Sequence, residues 1–167
     1  MKLSRLVRHR WLDHTDARRA LGDAALERLA QRVAASEGLH SGEIRVCVEA
    51  SLPLAALWRD VDARSRAVAL FGELRVWDTE DNNGVLIYLL LAERAIEIVA
   101  DRGVAQRVPQ ALWDGLVAGM RDAFTSGRFE DGLAQAIAAV GAQLVQHFPL
   151  APGQANPNEL PDRPDVR

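Results

Sequence analysis

The stretch Val85-Leu86-Ile87-Tyr88-Leu89-Leu90-Leu91 constrains the fold more than any other part of the chain. No charge or helix breaker interrupts it, and with Ala92 it makes the longest apolar run in the sequence, eight residues. That is far short of the roughly 20 that a membrane-spanning helix needs. A short continuous apolar run reads instead as a strand buried on both faces, at the centre of a sheet covered by helices. A polar loop, Trp77-Asp78-Thr79-Glu80-Asp81-Asn82-Asn83-Gly84, leads into it. After Glu93-Arg94, Ala95–Ala100 reads as its antiparallel hairpin partner.

The flanking segments supply the cover. Thr15 or Asp16 caps a helix running to about Glu37, with Leu21, Ala25, Leu29 and Val33 on one stripe and Gly38 as a stop. Glu43–Ala50 alternates, with Ile44, Val46 and Val48 pointing one way and Glu43, Arg45, Cys47 and Glu49 the other, which is a strand pattern. A second helical pattern covers about Leu54–Val76, interrupted or started afresh near Asp60, with Val61, Val68, Phe71 and Leu74 inward. Two amphipathic helices close the chain, about Gln110–Phe124 and Phe129–Phe148. The order helix, strand, helix, strand, strand, helix, helix makes the first two strands parallel through a right-handed crossover and the third antiparallel. The expected architecture is an α/β fold: a three-layer α/β/α sandwich with a small mixed sheet and helices on both faces.

The length of 167 residues and an apolar share of 49% fit one ordered domain. The expected organisation is a basic N-terminal segment (1–15), a folded domain (16–148) and a Pro-rich tail (149–167). That tail holds five of the seven prolines and has no core of its own. Residues 1–19 carry six basic residues against two acidic ones, while the rest of the chain is acidic. Leu3, Leu6, Val7 and Trp11 fall near helical spacing with arginines between them. Two readings stay open: a peripheral membrane contact through Arg5, Arg8 and Trp11, or a solvated terminus packing Trp11 onto the body. A net charge of −3 argues against a dedicated nucleic-acid binder. The first dozen residues lack the apolar stretch of a secretory signal, so the expected location is the cytoplasm, at most peripheral to the inner membrane face.

Several chemistries are excluded. The only lysine is Lys2, so there is no phosphate loop with its Lys, and neither GxGxxG nor GxSxG occurs. Cys47 lies within a strand pattern, and five residues on stands Pro53 where a cysteine phosphatase needs Arg. One cysteine forms no internal disulfide, and no histidines are spaced as metal ligands.

One cluster remains. Asp78, Glu80, Asp81, Asn82 and Asn83 crowd the entrance to the central strand, and Asp101-Arg102-Gly103 follows its antiparallel partner, so both fall at the same edge of the sheet. Oxygen-rich loops of Asp, Glu and Asn are what hard cations such as Ca²⁺ or Mg²⁺ require. Asp78-x-Glu80-x-Asn82 imitates the start of an EF-hand loop, but Asn83 replaces its glycine and Leu89 its final glutamate. The competing reading is plain turn chemistry, since Asn-Asn-Gly is also a turn signal.

The segments DNNGVLIYLLLAERAIEIVADRGV and FTSGRFEDGLAQAI, with Asn83-Gly84-Val85-Leu86 and Gly127-x-Phe129-x-x-Gly132 as their strongest pieces, resemble the TPM domain. The likeness is to its short, single-domain, bacterial-type form and covers about residues 20–148. That family takes its name from a thylakoid lumen protein, a photosystem II repair protein and a nicotinic-receptor modulator. The resemblance implies an α/β/α sandwich, calcium binding in some members, acid phosphatase activity in others, and accessory roles in maintaining membrane complexes. The chain departs from the family where Asp101-Arg102-Gly103-Val104 replaces a Gly-rich segment with a Glu, and in showing no signal or anchor.

Three functions follow as expectations. The first is an accessory domain, monomeric, that binds a divalent cation or an unidentified protein partner at loop 78–84 without a catalytic nucleophile. Its metal ligands would come from Asp78, Glu80, Asp81, Asn82, Asn83 and Asp101, and the fold would require no cofactor. The second is a metal-assisted phosphatase for phosphomonoesters, with Arg102 or Arg64 pairing the phosphate. The third is a peripheral membrane partner docking through the basic terminus.

Overall fold

The computed structural model describes Arg5, His9 and residues 14–167; Arg8 and Trp11, named above for a membrane contact, lie outside the described residues. The described elements are α1 (His14–Leu21), α2 (Asp23–Glu37), β1 (Glu43–Glu49), α3 (Leu54–Trp58), α4 (Ala63–Glu73), β2 (Gly84–Leu90), β3 (Ala95–Ala100), α5 (Arg102–Ala105), α6 (Gln110–Thr125), α7 (Phe129–His147) and β4 (Asp165–Val166).

The sheet runs in the order β3-β2-β1-β4. The apolar run becomes the inner strand β2, and Val85 through Leu90 are each 0% exposed. Burying each such side chain is worth about 1.5–3 kcal/mol, so this strand anchors both layers. β1 pairs with β2 in parallel, from Glu43 opposite Gly84 to Glu49 opposite Leu90. β3 returns antiparallel, from Val85 opposite Ala100 to Leu90 opposite Ala95. The hairpin connection is a single 3-10 turn, Leu91–Glu93, closed by Arg94 in the left-handed region.

Alternation then sorts the side chains. Ile44, Val46, Val48, Val85, Ile87, Leu89, Ile96 and Ile98 face a core completed by α2, α6 and α7. Cys47, Leu86, Tyr88, Leu90 and Val99 face a second core under α3 and α4. Helices thus cover both faces of a mixed sheet, as the element order required.

Three details differ from the sequence reading. The first helix is broken at Gly22, whose φ of +75° lies where residues with a Cβ are strained. In α4, Asp62 caps the first turn by accepting the Ser65 N–H at 2.7 Å. That cap sets the phase so that Ala63, Ala67 and Leu70 face the sheet and Val68 is left 53% exposed. Finally, residues 149–167 form a strap back across the domain. Its last residues add β4 beside β1, Cys47 opposite Asp165 and Val48 opposite Val166. Leu160 is buried in the second core, and Arg45 donates to Pro161 O at 2.7 Å and Arg163 O at 2.5 Å. Among the described residues, no helix is long and apolar enough to cross a membrane.

Candidate functional site

The acidic loop is built around Thr79, which is 8% exposed. Its carbonyl accepts the Asn82 N–H at 3.2 Å and its hydroxyl accepts the Asn83 N–H at 3.1 Å. This turn carries Asn82 into the left-handed region at φ 51°, a conformation that Asn tolerates better than most residues. Asn83 is fully buried, and its amide donates to Ser41 O at 2.9 Å and Ser41 Oγ at 3.2 Å. The loop is thereby tied to the residues entering β1.

On the other side, the end of β3 and the start of α5 close onto the same loop. Asp101 N–H donates to Gly84 O and Gly103 N–H to Asn82 O, both at 2.9 Å. A Cβ on Gly103 would lie 2.6 Å from Asn82 O and 2.8 Å from Asp81 O, so only glycine admits this approach. Asp101 caps α5 by accepting the Arg102 N–H at 2.7 Å through Oδ1. The two polar clusters therefore meet at one edge of the sheet.

The carboxylates themselves are spread out. Asp78, Glu80 and Asp81 are exposed, and Asp81 reaches Ser41 Oγ at 3.4 Å. The backbone N–H of Glu80 is taken by the Glu159 carboxylate of the strap, at 3.1 and 3.3 Å. Among the described residues, no three His, Cys, Asp or Glu side chains gather closely enough to hold a metal ion. Two side-chain oxygens at this edge nonetheless lie buried with no donor among the described residues, Asn83 Oδ1 and Asp101 Oδ2. They flank the start of β2, one on the β1 side and one on the β3 side.

The two arginines named for phosphate differ. Arg102 is exposed beside Asp101. Arg64 is committed elsewhere, donating to Ile98 O at 2.5 Å and Gln110 Oε1 at 3.3 Å, with Glu97 at 3.6 Å. Arg5, named for a membrane contact, donates to Glu93 Oε1 at 2.7 Å, Asp60 Oδ1 at 2.9 Å and Val61 O at 2.6 Å. Beside it, His9 is buried, accepting the Leu52 N–H through Nδ1 at 3.0 Å and donating to Glu93 through Nε2 at 2.9 Å. Burial pushes the Cys47 thiol well above its usual range, so the thiolate that cysteine chemistry requires is suppressed.

Sequence reasoning missed Ser41, Thr79 and Glu159 at the loop, and it missed a second acidic group altogether. Glu37 at the end of α2 and Glu43 at the start of β1 are 4% and 0% exposed. Glu37 Oε1 accepts the Ile44 N–H at 2.7 Å, and Glu43 Oε2 accepts the Leu160 N–H of the strap at 3.0 Å. Among the described residues, their remaining oxygens are buried without a donor, as is Asn156 Oδ1. Burial, then the neighbouring Glu43 and Asp162 carboxylates, pushes the Glu37 carboxyl up to about 8, against the opposing pull of its bond from Ile44.

Comparison with known proteins matches the TPM domain family model to residues 14–143. Among solved structures, the BA42 protein of the psychrophilic bacterium Bizionia argentinensis superposes with a TM-score of 0.74 at 28% identity, over 87% of this chain and 94% of that one. The N-terminal domain of a protein from P. gingivalis gives a TM-score of 0.64 at 21% identity, over 84% of this chain and 94% of that one, a likeness of fold alone. No curated protein matches the sequence significantly.

Proposed function

The chain belongs to the TPM domain family, and on that premise we propose that it is an accessory domain that takes up a divalent cation at the acidic loop and presents the loaded loop to a protein partner. The observation that carries this reading is Asp101 Oδ2. It is a carboxylate oxygen on a residue 7% exposed, without a donor among the described residues, two positions before Gly103, against which the Asn82 and Asp81 carbonyls close. A buried polar atom left without a partner costs about 1–3 kcal/mol, and a hard cation is one occupant that removes the cost. Asp101 and the loop carbonyls would supply the inner oxygens, with Asp81 and Asn83 at the margin and waters completing the shell. Asp78 and Glu80 would raise the local negative potential that draws the ion in.

The test is a calorimetric titration with Ca²⁺ and Mg²⁺ of the wild type, Asp101→Asn and Asp78→Ala/Asp81→Ala. Saturable heat that Asp101→Asn abolishes and the double variant weakens supports the reading; a wild type that takes up neither ion ends it. Turnover of a generic phosphomonoester by the loaded protein, lost with Asp101→Asn, would replace the accessory role with the metal-assisted phosphatase, leaving Arg102 as the guanidinium free for phosphate.

A further inference from the structure

The orphaned oxygens under the strap pose a separate question of charge. Glu37 Oε2 is buried without a donor among the described residues, and the Asp162 carboxyl stands within hydrogen-bonding reach of Glu37. Two carboxylates side by side at a largely buried site repel, and a hydrogen bond between them needs a proton, because an ionised carboxylate only accepts. Among the described residues, the surroundings offer no cation in its place. Glu43 adds a third carboxyl from β1, and Glu159 of the strap adds negative charge beside Glu43. Arg45, also on β1, spends its guanidinium on Pro161 O and Arg163 O. Arg163 points to Asp23 of α2, 3.9 Å away. His40, from the connection after α2, is kept neutral by burial; its Nδ1 donates to Gly42 O and its Nε2 accepts from Ser36 Oγ.

We propose that a proton held on Glu37 and donated to Asp162 latches the C-terminal strap onto the domain, so that the strap is docked while the proton is present and loosens when it is lost. Glu37 in the acid form uses both oxygens: Oε1 accepts the Ile44 N–H, and Oε2 carries the O–H that donates to Asp162. Asp162 is already held within the strap by the Asn158 amide at 2.8 Å, so the bond fixes strap residues 158–162 against the end of α2. An open cleft of about 390 Å³, lined by Glu37, Gly38, Leu150, Asn156 and Asp162 among others, gives the site a path for proton exchange with solvent. Of the strap's other ties, Glu43 takes the Leu160 N–H and its carboxyl is also pushed up by burial, while Arg45 binds backbone carbonyls of the strap and β4 adds its ladder to β1. Loosening therefore starts at the latch and spreads toward β4, baring the edge of β1 at Val48 and Ala50.

The measurement is amide hydrogen exchange by NMR between pH 6 and 9, in the presence of a chelator and corrected for the intrinsic rate. The reporters are Leu160 N–H, which donates to Glu43, Arg167 N–H, which donates to Val48 O, and Ala50 N–H, which donates to Arg167 O. In the wild type, protection at these amides falls by up to about tenfold per pH unit until the proton is gone. The same samples show the Glu37 side-chain carbon titrating near pH 8. Glu37→Gln, whose amide donates permanently where the acid did, keeps protection flat across the range. Asp162→Asn, at a half-buried strap position, also flattens it and stands in should Glu37→Gln not fold. Wild-type protection that is constant over the range, a Glu37 midpoint below about pH 6, or an Asp162→Asn profile that falls like the wild type would each overturn the latch.

Discussion

Glu49 and Glu37 bracket β1 at its two ends, with equal burial and opposite surroundings. At 3% exposure, Glu49 accepts the Arg66 guanidinium through both oxygens, at 2.6–3.2 Å, and the Tyr88 hydroxyl at 2.6 Å. At 4% exposure, Glu37 has one backbone N–H and a fence of other carboxyls. Burial sets the cost of a charge, but the covering element sets the outcome. α4 brings Arg66 over one end of the strand, while the strap brings Asp162 over the other. The first carboxylate is a structural tie, and the second is a group that holds a proton into the neutral range.

Removing the tie should have the largest effect. Arg66→Ala leaves Glu49 buried with only the tyrosine, and breaking a buried charged pair from one side costs about 3–5 kcal/mol. Urea unfolding should show a loss of that size, and a loss under about 1 kcal/mol would erase the distinction between the two ends. Glu37→Gln should act in the opposite sense, increasingly as pH rises above 4.5. The Glu37 carboxyl is raised from 4.5 to about 8 by burial first and by Glu43 and Asp162 after it. A raised acid contributes stability that is present in full below pH 4.5 and lost as pH rises to about 8. The variant cannot ionise, so at pH 9 it should exceed the wild type by about 2–3 kcal/mol and at pH 4 match it, allowing for relaxation of the buried site. A thermal-melt series across pH reads both limbs. Tyr88→Phe comes next. It removes one hydrogen bond to Glu49 but leaves the guanidinium, so about 1.5–3 kcal/mol is expected. Paired with Arg66→Ala, it should be non-additive, because both partners act on one carboxylate.

The same contrast explains what could be read in the sequence. β2 announced itself because its burial is recorded residue by residue in Val85 to Leu90. The two closing helices were legible from their stripes for the same reason. In α4 the inward reading holds for Phe71 and Leu74, which pack against the second core, but fails for the exposed Val68, because the most buried positions are mostly small, Ala63 and Ala67 with Leu70. Glu37 carried a signal that went unused: Leu29, Val33 and Glu37 recur every four residues, so the buried stripe of α2 ends on a carboxyl. Glu43, Arg45 and Glu49 read as the polar side of an alternating strand. What covers Glu43 and Arg45 is a strap more than 100 residues further on, with no periodicity to declare it. At the acidic loop the residue types were visible, and so was the shared sheet edge with Asp101. Thr79 as the hub and Glu159 as a neighbour were not, because both depend on how a turn closes and where the strap lands.

Asp81→Ala supplies the smallest effect and the sharpest contrast with Glu37. Asp81 is exposed and makes one long contact, to Ser41 Oγ at 3.4 Å, so its loss should change stability by no more than about 0.5 kcal/mol. Its effect should appear only when a cation is added: the wild type should gain melting temperature with Ca²⁺ concentration, by mass action on the native state, and the variant should gain less at each concentration. If Asp81→Ala destabilises the metal-free protein as much as Tyr88→Phe does, the loop is a structural tie like Glu49, and the division between conspicuous exposed carboxylates that meet a ligand and hidden ones that hold the fold or a proton would have to be redrawn.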